Sequence, residues 1–391
     1  MIVLASRIGQ HFLQIPGPTN VPDQVLRAIA APTIDHRGPE FAALTLRLLD
    51  GLKPVFGTDG PIVIHPASGT GAWEAALVNT LSPGDRVLFC ETGHFATLWQ
   101  RMARSLGLDV VFLPGDWRHG ADPDAVRDEL DADTDRLIKA VCVVHNETST
   151  GVTSRIPELR RALDDAGHPA LLLVDVVSSL ASTDYHHDAW GVDVTVAGSQ
   201  KGLMLPPGLG FNAVGPKALD AARTARLPKS YWDWRPVIEA NRHGHFPSTP
   251  ATNLLHGLEE ALRLLHTEGL PQVFARHARH GAATRAAVRG WGLEVLCADE
   301  REHSATLTAV VLPGDHDADR VRAIILDRFG MSLGAGLGRL SGRVLRIGHL
   351  GRLGDLTLAG TLAGVQMGLQ LAGVPLDPRG LDAALDLLRA P

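Results

Sequence analysis

Short apolar runs alternate with amphipathic helical stretches between residues 61 and 215, and this alternation constrains the fold more than any other feature of the chain. The pattern predicts βαβ units, which build a mostly parallel sheet covered by helices on both sides. The runs that are typical of strands buried on both faces lie at 61–65, 86–90, 140–144 and 171–174, and a further apolar run typical of a strand lies at 192–197. Helical patterns lie between them at 71–81, 94–106, 122–131 and 155–166.

Helical patterns dominate after residue 252, which indicates a second structural unit. A chain of 391 residues is long enough for two or three domains. We therefore expect an N-terminal segment at 1–20, a large α/β domain at 21–270 and a smaller α+β domain at 271–391. The helices predicted after residue 252 are 254–266, 270–289, 317–329 and 356–372, and the strands are 293–296, 307–312 and 344–347.

The charge and the cysteines of the chain exclude several classes of protein. The formal net charge is −6, from 37 basic and 43 acidic residues, and no dense basic block occurs. Neither a nucleic-acid partner nor a polybasic membrane patch is therefore expected. Cys90, Cys142 and Cys297 are scattered and form no C-x-x-C pair, which favours reduced thiols in a cytoplasmic protein.

Two segments bear on export and on membranes. Residues 1–7 are too short, and too soon interrupted by a charge, to be the apolar region of a secretory signal. Residues 356–376 are free of charge and are long enough to span a bilayer. The glycines at positions 360, 364 and 368 favour a buried, closely packed helix instead, so no membrane association is predicted.

A lysine and an aspartate follow two of the predicted strands. Lys201 comes shortly after the run 192–197, and Asp175 ends the run 170–175. Ligands of parallel sheets bind at the carboxyl ends of the strands, so the two side chains are expected in one site. Pyridoxal phosphate (PLP) requires an amine for its aldehyde and, in many enzymes, a carboxylate that keeps its pyridine nitrogen protonated. The pair therefore predicts a PLP-dependent Schiff-base enzyme.

A glycine-rich stretch at 67–74 follows a predicted strand and opens a helix. The backbone amides of a helix N-terminus bind anions, so this stretch can hold a phosphate group. By itself the stretch is more typical of a structural turn, because it matches neither the dinucleotide motif nor the P-loop. Its position before the carboxylate and the lysine favours the cofactor site.

Other motifs indicate no additional chemistry. The glycines at 334–338 precede a strand rather than open a helix, and we interpret them as an active-site turn. The paired histidines at 186–187 and at 243 and 245 lack metal partners at helical spacing, so no metal is predicted. No G-x-S-x-G motif supports a serine hydrolase.

Together these motifs resemble those of the class V aminotransferases of PLP fold-type I, and most closely the branch of serine–glyoxylate and alanine–glyoxylate aminotransferases. The resemblance covers nearly the whole chain. It implies that segment 1–20 packs at the active site and that the large domain binds PLP. The matching segments are 16–22, 35–41, 145–152, 174–179, 198–208 and 346–351.

The resemblance implies a role for each matching residue toward the cofactor. Lys201 would hold the aldehyde and carry the proton between the substrate Cα and the cofactor, and Asp175 would pair with the pyridinium nitrogen. Phe95 would stack on one ring face and Val177 would pack on the other, while Thr148 would bond the ring hydroxyl. The phosphate would be bound by Ser68, Gly69, Thr70 and Gly71 with help from Gln200.

The resemblance also implies residues that bind the substrate or the cofactor of a partner subunit. Arg346 would hold the substrate α-carboxylate with its planar guanidinium, and Gly17 would lie beside the substrate. Phe246 and Thr249 match a segment that in relatives reaches the phosphate of the partner's cofactor. A homodimer with active sites at the interface is therefore expected, and a higher oligomer is left open.

The reaction implied by the resemblance is amino transfer from L-serine to glyoxylate, which gives hydroxypyruvate and glycine. Alanine and aspartate remain alternative donors. Aspartate needs a second cation, for which Arg37 and His36 are the candidates. A desulfurase is an alternative of another class, but it requires a nucleophilic cysteine on a loop before the carboxylate-binding arginine, and residues 332–345 contain none.

Overall fold

The computed structural model describes residues 11–389, which form two large β-sheets, a short two-stranded sheet and the helices packed against them. Residues 1–10, which include the segment 1–7 and half of the predicted N-terminal segment 1–20, lie outside the described residues.

The predicted strands and helices occur in the predicted order, and further elements lie between and around them. Up to the end of the large sheet the elements are β1 (Phe12–Gln14), α1 (Asp23–Ile29), α2 (Pro39–Phe56), β2 (Ile62–Ala67), α3 (Gly69–Thr80), β3 (Arg86–Cys90), α4 (His94–Ser105), β4 (Asp109–Leu113), α5 (Pro123–Ala132), β5 (Ile138–Val144), β6 (Asn146–Glu147), β7 (Val152–Thr153), α6 (Ile156–Asp165), β8 (Leu171–Asp175), β9 (Val194–Gly198) and β10 (Gly208–Val214). The remaining elements are α7 (Pro216–Thr224), α8 (Trp234–Asn241), α9 (Thr252–Glu268), α10 (Leu270–Gly290), β11 (Glu294–Val295), β12 (Leu307–Val311), α11 (Ala318–Phe329), β13 (Met331–Ala335), β14 (Val344–Gly348), α12 (Asp355–Leu371) and α13 (Gly380–Arg389).

The large sheet has seven strands in the order β2-β10-β9-β8-β5-β3-β4. The four neighbouring pairs from β9 to β4 are parallel, and only β10 runs antiparallel to its neighbours β2 and β9. The predicted α/β fold with a mostly parallel sheet is confirmed. The carboxyl ends of the parallel strands therefore meet along one edge.

Both faces of the large sheet are buried, as the continuous apolar runs require. Successive strand residues point to opposite faces, so Leu172 and Val174 of β8 join one core while Leu171 and Leu173 join the other. The helices α2, α5, α6 and α9 cover the first face, and α3, α4, α7 and α8 cover the second. The strand ends are thereby held in a rigid, close-packed frame.

Strands β4 and β10 were not among the sequence-based predictions. β4 is an edge strand whose side chains are mostly half-buried. β10 contains Gly208, Gly210 and Asn212, which weaken its strand signal. Gly210 is required there, because a Cβ at this position would lie 2.6 Å from the carbonyl oxygen of Ser68.

Four C-terminal strands and β1 of the N-terminal segment form the second sheet, which has the order β1-β13-β14-β12-β11. The predicted domain boundary at 270/271 falls at the start of α10, and the division into domains stays a prediction. The glycines at 334–338 are partly strand, because β13 includes Gly334 and Ala335. A turn of 3-10 helix, Gly338–Leu340, follows before β14.

The charge-free segment 356–376 forms α12 and the turn after it. Its glycines permit close packing, because a Cβ on Gly364 would lie 2.8 Å from Met331 Cε, and one on Gly368 would overlap Ile325. Among residues 11–389, no helix is both long enough and apolar enough to cross a membrane.

Candidate active site

The loops at the carboxyl ends of β2, β3, β5, β8 and β9 surround a cavity of about 220 Å³, called here the inner cavity. Most of the residues predicted for cofactor binding line it, and these residues are far apart in sequence. The lining consists of Ser68, Gly69, Thr70, Trp73, Phe95, Val144, Asn146, Thr148, Asp175, Val177, Ser178, Gln200 and Lys201.

The glycine-rich stretch forms the start of α3 at one side of the inner cavity. Ser68 is the N-cap residue, but its side chain makes no capping hydrogen bond, and the first turn contains no acidic residue. The first amides of α3 are therefore available to an anion. Gly69 is required, because a Cβ there would overlap a methyl group of Val177. Gly71 faces away from the cavity toward Trp232.

Lys201 lies three residues after β9 and is buried. Its Nζ donates a hydrogen bond of 2.6 Å to the carbonyl oxygen of Pro16. Gly17 is packed against the same amine, since a Cβ there would lie 2.5 Å from Nζ, and its φ of +107° also favours glycine. Burial, together with the charge of Arg346, lowers the pKa of Lys201 to about 8. A larger fraction of this amine is therefore unprotonated near neutral pH than for an ordinary lysine.

Asp175 is the last residue of β8, and its carboxylate faces the inner cavity. Oδ1 accepts a hydrogen bond of 2.6 Å from the backbone nitrogen of Val177, and Oδ2 accepts one of 2.8 Å from Trp73 Nε1. Burial raises the pKa of Asp175 to about 7, although these two donors and the charge of Lys201 oppose the rise. Near neutral pH the carboxyl group of Asp175 is therefore present in both protonation states, and a cationic ligand would favour the ionised one.

Glu147 is a second buried carboxylate, and the sequence analysis gave it no role. Oε2 accepts hydrogen bonds of 3.1 Å from the backbone nitrogens of Phe95 and Ala96, and Oε1 accepts from the nitrogen and hydroxyl of Ser149. It therefore joins the N-terminus of α4 to the strand that follows β5, and it fixes the backbone of Phe95. Glu147 lies within the segment 145–152 that carries the family resemblance, and this position could have indicated a role at the site.

Phe95, Thr148, Val177 and Gln200 all line the inner cavity. The amide oxygen of Gln200 is buried and has no hydrogen-bond partner among the described residues, so it can accept a hydrogen bond from a ligand. The cavity thus combines an aromatic ring, a hydroxyl and an amide with the amine and the carboxylate.

Arg346 lies in the middle of β14 and is buried. Its Nε donates to the carbonyl oxygen of Ala335 at 2.7 Å, and its Nη1 donates to that of Thr148 at 2.6 Å. Burial lowers the pKa of this guanidinium to about 10, which still leaves it charged at neutral pH. The contact with Thr148 places Arg346 beside the inner cavity, as a carboxylate-binding role requires.

Arg37, Phe246 and Thr249 lie elsewhere. Arg37 and Thr249 are exposed, and none of the three lines the inner cavity. Phe246 contacts Phe41 at the start of α2, with 6.2 Å between the ring centroids. The turn 35–38 and the segment 244–250 therefore lie on the same side of the molecule, and we call them the outer surface.

The three cysteines and the potential metal ligands lie outside the inner cavity or are scattered in the described part of the chain. Cys90, Cys142 and Cys297 are buried and unpaired. Burial raises the pKa of Cys297 to about 12, so this thiol is a poor nucleophile. Residues 11–389 contain no group of three or more His, Cys, Asp or Glu side chains that could hold a metal ion.

Comparisons with known proteins identify the family of the chain. The family model "Aminotransferase class-V" matches residues 11–353. The chain is 49% identical to a serine–glyoxylate aminotransferase of Methylorubrum extorquens, covering 98% of this chain and 97% of that protein. It is 43% identical to an L-aspartate–glyoxylate aminotransferase of Paracoccus denitrificans, covering 94% of this chain and 93% of that protein.

A solved structure shares the fold over the whole chain. The ureidoglycine–glyoxylate aminotransferase of Bacillus subtilis superposes with a TM-score of 0.90 at 27% identity, covering 99% of this chain and 100% of that one. The family match, the similar relatives and the shared fold lead to one conclusion. The chain belongs to the class V aminotransferase family.

Proposed function

We propose that this aminotransferase uses PLP to transfer the amino group of L-serine to glyoxylate, which gives hydroxypyruvate and glycine. One observation carries the proposal: the amine of Lys201, the carboxylate of Asp175 and the free N-terminus of α3 converge on the inner cavity. The relative from Methylorubrum extorquens supports the choice of substrates.

The residues around the inner cavity fit PLP. The uncapped amides of α3 suit a phosphate, Asp175 suits a pyridinium nitrogen, and the unpaired amide oxygen of Gln200 can accept a hydrogen bond from a ligand. When bound, PLP supplies the electron sink that makes the substrate Cα–H bond acidic.

In this proposal the chain's own residues bind, orient and move a proton. Phe95 and Val177, which line the inner cavity, would hold the two faces of the ring, and Thr148 would bind its hydroxyl. Arg346 holds the substrate carboxylate with its remaining N–H groups, because two of them already bind carbonyl oxygens. Lys201 takes the proton from Cα, a task that its lowered pKa favours.

A donor screen tests the choice of substrate. Serine carries only a hydroxymethyl group, whereas aspartate brings a second carboxylate that is costly to bury without a cation. With glyoxylate saturating, we expect kcat/KM to be highest for serine, lower for alanine and lowest for aspartate.

Aspartate is the second candidate donor, because the relative from Paracoccus denitrificans is named for it. The same screen in Arg37→Ala separates the two candidates. If aspartate leads by tenfold or more, and this preference collapses in Arg37→Ala, then the serine assignment is wrong and Arg37 binds the distal carboxylate. His36 is the alternative cation.

We also propose that the protein is a cytoplasmic homodimer with its active sites at the subunit interface. The buried, unpaired cysteines support a reducing compartment. The position of Arg37, Phe246 and Thr249 away from the inner cavity supports a site completed by a partner. Sedimentation equilibrium tests the dimer, and a monomer with full activity would contradict it.

A further inference from the structure

Trp73, one turn into α3, contacts the carboxylate at the centre of the inner cavity. Its Nε1 donates a hydrogen bond of 2.8 Å to Asp175 Oδ2 across 102 residues of sequence, and both side chains are buried. The other oxygen accepts from the backbone nitrogen of Val177. Trp73 is thus the only side chain among the described residues that forms a hydrogen bond with this carboxylate.

We propose that Trp73 is a positioning residue that keeps Asp175 ionised and holds its carboxylate toward the cofactor ring. The inference rests on the proposed PLP-dependent function, because it gives Asp175 a cationic ring nitrogen as partner. Trp73 acts through Asp175.

The chemistry of indole explains the direction of the effect. An indole N–H can donate a hydrogen bond but cannot accept one, so it stabilises a carboxylate oxygen that carries no proton. Burial of Asp175 acts in the opposite direction. Glu147 in β6 also disfavours the charge, while Lys201 after β9 favours it. The ionisation of Asp175 therefore depends on its two donors.

Trp99 of α4 provides a matched control. Its ring stacks on Trp73, with 5.7 Å between centroids and 11° between planes, and it is wholly buried. Its Nε1 has no hydrogen-bond partner among the described residues. Substitution of either tryptophan by phenylalanine disturbs the same aromatic stack, but only Trp73→Phe removes a donor from Asp175.

The test is a titration of Asp175 in the apoprotein by carbon-13 NMR with labelled aspartate carboxyls, in which Asp175→Asn identifies the signal. We expect Trp73→Phe to lower the acid dissociation constant of Asp175 about tenfold or more, the scale of one hydrogen bond to a charged group. Trp99→Phe should change it less than about twofold. Equal changes in both variants would overturn the inference.

A second measurement uses the affinity of the apoprotein for PLP. Trp73→Phe should weaken binding about tenfold, and the same substitution in an Asp175→Asn background should add no further loss if Trp73 acts through Asp175. An undiminished loss in that background would show that Trp73 acts by packing alone. If the native protein itself fails to bind PLP, the proposed function is wrong, while the NMR titration still decides the role of Trp73.

If Trp73→Phe does not fold, an isosteric side chain at position 73 can replace it in the NMR titration. Benzothienylalanine at position 73 replaces the indole N–H by sulfur and keeps the shape of the ring. It should reproduce the changed titration of Asp175 without a loss of stability from packing, and a native titration curve would contradict the proposal.

Discussion

The residues implied for one active site lie in two regions, the inner cavity and the outer surface. A single protomer brings together the residues of the inner cavity, but it does not bring those of the outer surface to them. At the inner cavity, Lys201 and Asp175 are buried, their neighbours are fixed by hydrogen bonds, and burial shifts both of their pKa values. At the outer surface, Arg37 and Thr249 are exposed and line no cavity with Lys201.

The difference follows from how each region is built. Parallel strands bring their carboxyl ends to one edge, so a single chain can assemble the inner cavity. The outer surface lies on a turn before α2 and on a loop before α9, and such loops can serve a site on another chain. The contrast therefore supports the proposed homodimer, and the following predictions test each side of it.

Lys201→Ala should have the largest effect, because it removes both the attachment point of the cofactor and the proton carrier. We expect turnover to fall about 10⁴-fold or more. The phosphate, stacking and Asp175 contacts should still retain some PLP. After borohydride treatment, mass spectrometry should find pyridoxyl on the native protein and none on the variant.

Lys217→Ala is the matched control, since this lysine contacts Ala170 at the opposite end of β8. It should keep both turnover and pyridoxyl attachment. Appreciable transamination by Lys201→Ala would contradict the assignment of the inner cavity.

Asp175→Asn should lower turnover but raise the stability of the apoprotein above neutral pH. The pKa of Asp175 is raised from 3.8 to about 7, so the folded apoprotein retains a proton that the unfolded chain loses. The free energy of unfolding should therefore fall as the pH rises from about 4 to about 7.

The Asp175→Asn variant has no buried carboxyl group that must ionise as the pH rises. At pH 8 its apoprotein should therefore be more stable than the native one by about 2–4 kcal/mol. Turnover should nevertheless fall by orders of magnitude, because the ring nitrogen loses its ionic partner. Urea unfolding at pH 4 and pH 8 measures the effect, and a gain that is equal at both pH values would exclude the titration of Asp175 as its cause.

Arg346→Lys should weaken donor and acceptor alike, because both carry an α-carboxylate. A lysine cannot form the bidentate contact of the guanidinium. We expect kcat/KM for serine and for glyoxylate each to fall by a factor that corresponds to about 1–3 kcal/mol of transition-state binding. Arg343→Lys, an exposed change near the same strand, is the control. A loss confined to one substrate would argue against a shared carboxylate site.

Thr249→Ala should have the smallest effect, and it tests the outer surface. Thr249 is exposed, so stability should not change, but PLP affinity should fall about tenfold if its hydroxyl binds the phosphate. Thr224→Ala, at an exposed helix position, should change neither quantity.

Hybrids of Thr249→Ala and Lys201→Ala subunits assign Thr249 to a protomer. If it serves the partner, one site of each hybrid has both native residues, and native PLP affinity returns in half of the sites. Hybrids that show only the weakened affinity would place Thr249 in the site of its own protomer and would remove the contrast between the two regions.

The pattern of apolar runs predicted five of the seven strands of the large sheet, β2, β3, β5, β8 and β9. The run 86–90 coincides with β3, and the run 171–174 differs from β8 by one residue. β10 was missed because its glycines and asparagine depart from an apolar pattern, although its neighbours bury it completely from Leu209 onward. Periodicity reports burial, and burial of polar or small residues leaves no periodic signal.

The sequence by itself determined that an amine and a carboxylate follow parallel strands, and hence that they meet at one edge. Only the tertiary structure decided what holds them: Trp73 against Asp175, Pro16 against Lys201 and Thr148 against Arg346. These contacts join residues that are 102 to 198 positions apart. Strand ends follow from local patterns of apolar residues, whereas the partner of a buried polar group is set by the final packing of the whole chain.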